Sequence, residues 1–317
     1  MLADIISPDL FASAIRMATP IALAAIGGTI CERAGVVNIA LEGMMLFGAF
    51  MGVIGAMFTG SAWIGVLTAV VAGAALALVH AFASITLRTD QVVSGTAINI
   101  LALGLTGFLM EVIFGHPGTT DPVTRLGPVF DFSGPQEGMF ATAWRWFDVA
   151  VMSYTPLVYV AILLAIASHW ALFNTRWGLR LRALGEHPRA ADTVGINVIR
   201  GRYSAVIASG ALAGMAGANL TLEQTGSFTE GMTNARGFIA LAANIFGRWT
   251  PGGSYGASLL FGFADALQIK MQLLREIIKV PSQFFLMIPY VLTVVVLAGV
   301  VGRAVAPAAI GKPYEKG

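Results

Sequence analysis

The sequence predicts an all-α, polytopic transmembrane helix bundle of about eight to ten spans with a short helix in a cytoplasmic loop. Three observations carry that prediction. Apolar residues make up 56% of the 317-residue chain and charged residues only 11%, whereas a soluble domain carries about 25% charge. Apolar runs repeatedly approach the roughly 20 residues that a helix needs to cross a bilayer. The basic residues are bunched in loops, and residues 174–202 hold Arg176, Arg180, Arg182, Arg189, Arg200 and Arg202 against only Glu186 and Asp192. Lys and Arg concentrate on the cytoplasmic side of membrane proteins. That loop is therefore assigned to the cytoplasm, and the whole chain, 1–317, to one domain in the cell membrane, solvated by the lipid bilayer.

The first ten residues lack the basic region and small-residue cleavage site of a signal peptide, so the first span, over 10–30, is expected to stay. Arg16 near its start can snorkel to the interface, and Pro20 is expected to kink it. Residues 27–43 are punctuated by Gly27, Gly28, Gly35 and Gly43 and carry Glu32, Arg33, Asn38 and Glu42. Polar groups in that number are costly in hydrocarbon. Two readings fit. One is broken backbone lining the centre or cytoplasmic mouth of the bundle, tolerated only against protein or water. The other is a short cytoplasmic turn near Glu32 and Arg33 ahead of an ordinary span. Further spans are expected over 44–58, where Gly48 and Gly52 form a GxxxG pair that allows close helix contact, over 62–87 and over 92–114. Asn99, well inside the last of these, suits an interhelical hydrogen bond or the lining of a pathway.

Residues 115–147, rich in Gly, Pro and aromatics, fall outside by alternation, as an extracytoplasmic loop that either meets a partner or packs over the bundle. Trp144, Trp146 and Phe147 suit an interfacial aromatic belt. The fifth span is placed over 149–173. After the basic loop comes a small-residue span over 203–222, whose Gly210 and Gly214 form a second GxxxG pair. An apolar stretch over 237–246 is too short to cross. Spans over 257–271, containing Asp265, and over 284–301 complete the chain. Arg303, Lys312 and Lys316 suit a cytoplasmic C-terminus. Five apolar runs ahead of the basic loop put the N-terminus outside.

Inside the basic loop, Pro188 suits a first helical position and Gly195 the residue just past a helix end. About two turns lie between them, with Ala190, Ala191 and Val194 able to share a face. A short, small-residue helix held between two spans is shaped to sit in another protein's groove.

Chemical motifs are absent. No GxxxxGK[ST] phosphate loop, HExxH, GxSxG or CxxC occurs. His80, His116, His169 and His187 do not pair at metal spacing, and Cys31 is the single cysteine. No catalytic residue, metal or cofactor is expected, and the net charge of +2 gives no sign of nucleic-acid binding.

The run LRALGEHPRAADTVGIN in the basic loop resembles the coupling segment of membrane permeases of ABC importers, in the branched-chain amino acid and simple-sugar/nucleoside permease family. ERAGVVNIALEGMML (32–46) and ALAANIFGRWTPGGSYGASLLFGFADALQ (240–268) agree in order, most like the nucleoside/simple-sugar branch. The resemblance runs through most of the chain and implies a transport subunit that is not itself an enzyme. Nucleosides or simple sugars would move by alternating access, driven by a separate ABC ATPase. It also implies a second related permease, or a second copy of this chain, and an extracytoplasmic substrate-binding lipoprotein. Coupling to the ATPase then falls to Gly185, Glu186, Pro188, Ala190, Ala191, Asp192 and Gly195, and Gly185→Arg is expected to abolish transport while leaving insertion intact. Candidates for lining the pathway are Asn38, Glu42, Asn99, Asn219 and Asn244. The family's ten helices and cytoplasmic N-terminus differ from the count above, and one more short segment within 27–43 would reconcile them. The competing expectation is an ion-coupled secondary transporter using Glu42, Glu111 and Asp265 as intramembrane carboxylates.

Overall fold

A computed structural model of the chain describes residues 7–130, 146–148, 152–273 and 305–315, with isolated positions between 283 and 295. Most of the expected last span, and Trp144, lie outside the described residues. The described helices are α1 (Pro8–Arg33), α2 (Leu41–Thr59), α3 (Ala62–Ala81), α4 (Gln91–Phe114), α5 (Pro156–Asn174), α6 (Arg176–Glu186), α7 (Pro188–Thr193), α8 (Val198–Ala218), α9 (Arg236–Phe246) and α10 (Pro251–Leu273). Wider π-helical turns, Phe82–Thr86 and Asn219–Thr225, prolong α3 and α8. Among the described residues, six helices are long and apolar enough to cross a membrane: α1 to α5 and α8.

Local chemistry sets the ends. Pro8 and Pro156 stand in the first turns of α1 and α5, where a missing N–H costs nothing. The Asp90 carboxylate accepts the N–H groups of Val92 and Val93 at the start of α4. Gly60 and Gly115 close α2 and α4 with φ of 70° and 74°.

Helices α1 and α8 form the centre, and α8 packs on α1, α2 and α3, while α10 lies along α1. The two GxxxG pairs meet through Gly48 and Gly214, and their other members, Gly52 and Gly210, pack on α3. A Cβ on Gly48 would stand 2.5 Å from the Gly214 Cα, and one on Gly210 would overlap the Gly73 carbonyl. Backbones this close gain dispersion contacts, the main source of helix association where lipid and side chain are equally apolar. The rim is different: α4 and α5 expose Ile100, Leu103, Phe108, Leu163 and Ile166.

Helix α1 continues through Pro20 to Arg33. The break lies at 34–40, with Gly35 at φ 89°, and 27–43 holds no further segment, since α2 begins at Leu41. Helices α1 and α8 run antiparallel. Near one end, a Cβ on Gly185 would overlap the Arg33 carbonyl; near the other, Gln224 donates to the Arg16 carbonyl at 3.3 Å. Lys270 also donates to the Ser7 hydroxyl at 2.5 Å. The start of α1 therefore lies at the end of the bundle away from the basic loop, as five runs before that loop require. The described part of the 115–147 loop packs over that end. The N–H groups of Thr120, Val123 and Leu126 donate to the carbonyls of Phe228, Gly226 and Leu222 at 2.8–2.9 Å.

Candidate coupling surface and translocation cavity

The basic loop folds as two helices rather than one. The Thr175 hydroxyl accepts the Gly178 N–H at 3.2 Å and starts α6. Gly178 makes the sharp exit from α5 possible, since a Cβ there would overlap the backbone of Ala171 and Leu172. Leu181, Leu184 and Gly185 of α6 face inward, while Arg176 and Arg180 are exposed. Pro188 opens α7, and Gly195 follows its end at φ 81°, as the Pro-to-Gly pattern requires. Leu184, Ala191 and Val198 form a small apolar core beneath the hairpin, with Ile196 and Tyr314 against it.

This geometry divides the coupling candidates. Gly185 and Ala191 are buried and hold α6–α7 to the bundle. Glu186, Ala190 and Gly195 are exposed, and Pro188 and Asp192 are half-buried. Val194, just past α7, is 74% exposed. The outward surface of the hairpin is thus a small apolar patch with arginines beside it. Residues 308–315 border the same surface, leaving a groove of about 630 Å3 between α7 and Lys312 to Glu315.

At the other side of the break, a cavity of about 410 Å3 opens between α4 and α9, lined by Glu42, Thr96, Asn99, Leu103, Asn234 and Phe238 among others. Glu42 caps α9: its two carboxylate oxygens accept the N–H groups of Ala235 at 2.9 Å and Gly237 at 2.7 Å. A carboxylate is favoured there because the unpaired N–H groups make the helix start electropositive. Glu32 holds the other end of α9. It accepts from the Asn244 amide at 2.8 Å and from the Trp249 indole N–H. The short helix is therefore gripped at both ends by acids from the α1–α2 corner.

Two of the five pathway candidates reach the cavity. Glu42 lines it, and so does Asn99, which also braces the corner by accepting the Gly43 N–H at 2.8 Å and donating to the Ile39 carbonyl at 3.0 Å. The others are ties inside the bundle. Asn38 donates to the Ser209 hydroxyl at 2.9 Å. Asn219 donates to Glu223 at 2.5 Å and accepts from Gln224 at 2.9 Å. Asn244, besides bonding Glu32, accepts from the Thr29 hydroxyl at 2.7 Å. None of these three is more than 1% exposed. Thr96 and Phe238 were not among the pathway candidates, because a lipid-facing and a cavity-facing helix stripe have the same composition, and neither was Asn234, which lies in the turn before α9. Of the proposed ion-coupling acids, Glu42 is engaged by backbone donors. Glu111 is exposed near the end of α4 and Asp265 half-buried on α10, and neither lines this cavity. Among the described residues no cluster of His, Cys, Asp or Glu could hold a metal.

Over residues 10–297 the chain matches the family described as branched-chain amino acid transport system / permease component. It is 44% identical over 306 residues to the guanosine ABC transporter permease protein of Bacillus subtilis, spanning 95% of this chain and 94% of that one. It is 36% identical over 323 residues to the nucleoside ABC transporter permease protein of Lactococcus lactis, spanning 96% of each. A putative glucose ABC transporter permease protein of Haloferax volcanii is 38% identical over 263 residues, 81% of this chain and 76% of that one. No solved structure matches the chain.

Proposed function

Because this chain belongs to the branched-chain amino acid transport system permease family, we propose that it carries nucleosides across the membrane along the cavity between α4 and α9. It is the permease subunit of an ABC importer in the plasma membrane, a transport component that works with an ATPase and a substrate-binding protein. The observation that carries the nucleoside reading is the near full-length likeness to a guanosine and a nucleoside permease. The ion-coupled alternative is not favoured by these relatives.

The finer assignments rest on geometry. The exposed face around Pro188, Ala190 and Val194, with arginines beside it, is a surface suited to the ATPase. The buried Gly185 and Ala191 fix that surface to α1 and α8. A second, related permease would close the α4 side of the cavity. Gly104 and Gly107 on α4 have no neighbour within 4 Å of a built Cβ, which leaves room for another helix. The substrate-binding lipoprotein would dock over the outer end, where residues 118–126 lie along 222–230.

The test is uptake of labelled guanosine into proteoliposomes holding the permease, its ATPase and binding protein. Uptake is expected to require ATP hydrolysis and to survive a protonophore. Uptake that continues without ATP and collapses with the proton gradient would overturn the reading, and ATP-driven uptake of sugar alone would overturn the nucleoside assignment.

A further inference from the structure

The last described residues fold back onto the bundle. The Ala308 N–H donates to the Glu186 carboxylate at 3.2 Å, and the Ala309 N–H to the Gly185 carbonyl at 2.8 Å. The Gly311 N–H donates to the Gly35 carbonyl at 3.2 Å, and the Lys312 carbonyl accepts from Arg202 Nη1 at 3.0 Å. Residues 308–312 thus bond to the end of α6, to the α1–α2 corner and to the second turn of α8. An ATPase pushing on α7 would have to move these three elements together.

Arg202 is the costly member of the set. It is 2% exposed and heads the largest fully buried side chains. Among the described residues it has no carboxylate partner, and its Nε and Nη2 take no hydrogen bond. A buried guanidinium without an acid costs stability that an apolar side chain of similar volume would not. What the arginine supplies instead is reach. From α8 it holds the tail at Lys312, and its Nη2 lies 2.8 Å from where a Cβ on Gly35 would stand. The corner it touches leads into Glu42 and so to the cap of α9.

We propose that residues 308–312, anchored by Arg202, are a positioning strut that joins α6–α7, the α1–α2 corner and the start of α8 into one moving body. Motion of the coupling hairpin then reaches α9 through Gly35 and Glu42. The strut rests on reading α7 as the ATPase-facing surface.

Two variants of the assembled complex test it. Ala309→Pro deletes the N–H given to Gly185 while keeping the tail. Arg202→Met removes the anchor at Lys312 and leaves an apolar side chain of similar volume, so the fold should be at least as stable. Both variants should keep the ATPase bound and lose about tenfold or more in uptake per ATP hydrolysed. Wild-type uptake per ATP in Arg202→Met or in Ala309→Pro would overturn the strut. So would shedding of the ATPase by either variant, which would make the tail a docking surface. If Ala309→Pro does not fold, Arg202→Met decides alone. The coupling reading is tested separately by Val194→Asp on the exposed surface. An ATPase that stays bound and productive there sinks that reading, whatever the tail variants do.

Discussion

The Glu42 carboxylate and the Gly237 backbone N–H, 195 positions apart in sequence, share a 2.7 Å hydrogen bond. It joins the first turn of α2 to the first turn of α9, and with the Ala235 bond it leaves both carboxylate oxygens engaged. Loss of a side-chain cap costs about 0.5–2 kcal/mol. Glu42→Ala should therefore lower the unfolding midpoint in detergent and reduce nucleoside uptake, with Glu42→Gln, which keeps one acceptor, between it and the parent. An alanine variant equal to the parent in both measurements would show that the cap does not position α9.

Glycine positions separate the packed core from the open rim. A Cβ at Gly214 would overlap the Ala69 carbonyl and one at Gly104 would meet nothing within 4 Å. Overpacking costs typically about 1–3 kcal/mol, so Gly214→Val should yield little detergent-stable protein. Gly104→Val should fold normally. If a second permease covers α4, it should nonetheless weaken assembly of the complex, read by co-purification. Full assembly and uptake in Gly104→Val would remove α4 from that interface.

Six of the span positions were legible because a bilayer imposes a length on apolar runs, whereas the span expected over 257–271 falls in α10, which is not among the described helices long and apolar enough to cross. The ends of α7 were legible because Pro188 and Gly195 each suit a single kind of helix position. The existence of α6 was not. Leu181, Leu184 and Gly185 lie on one face, but arginines between them made the segment read as plain loop. The roles of the asparagines were hidden for a different reason. Asn99 and Asn244 sit in equally apolar surroundings, and only partners about 60 and 200 positions away decide which faces a cavity. Glu32 was read as part of a turn or break, yet Asn244 and Trp249 hold it inside α1.

That difference between the asparagines gives a paired prediction. Asn244→Leu takes one partner each from Glu32, which keeps the Trp249 indole, and from Thr29, which keeps the Ala25 carbonyl and the Ser254 hydroxyl, at about 0.5–3 kcal/mol for each hydrogen bond lost. It should lower thermal stability sharply. Thr96→Trp puts bulk into the α4–α9 cavity from an exposed position and should lower uptake with little change in stability. A Thr96→Trp protein that transports nucleoside at the parental rate would exclude this cavity as the route.

The exposed end of the α6–α7 hairpin allows a cleaner test of the proposed coupling role than Gly185. Gly185→Arg was expected to block transport without harming insertion, but the built Cβ at Gly185 overlaps the Arg33 carbonyl, so even alanine must displace α1. A transport defect in that variant would mix coupling with packing. Val194 is 74% exposed, and a carboxylate there stays solvated in the isolated permease, so Val194→Asp should insert and melt like the parent. Buried against an ATPase, the same charge would lose its hydration without a partner, at a cost of several kcal/mol. The ATPase should then fail to co-purify and uptake should vanish, while Val194→Leu should retain both. If Val194→Asp binds its ATPase and transports at the parental rate, the surface around α7 is not where the ATPase sits.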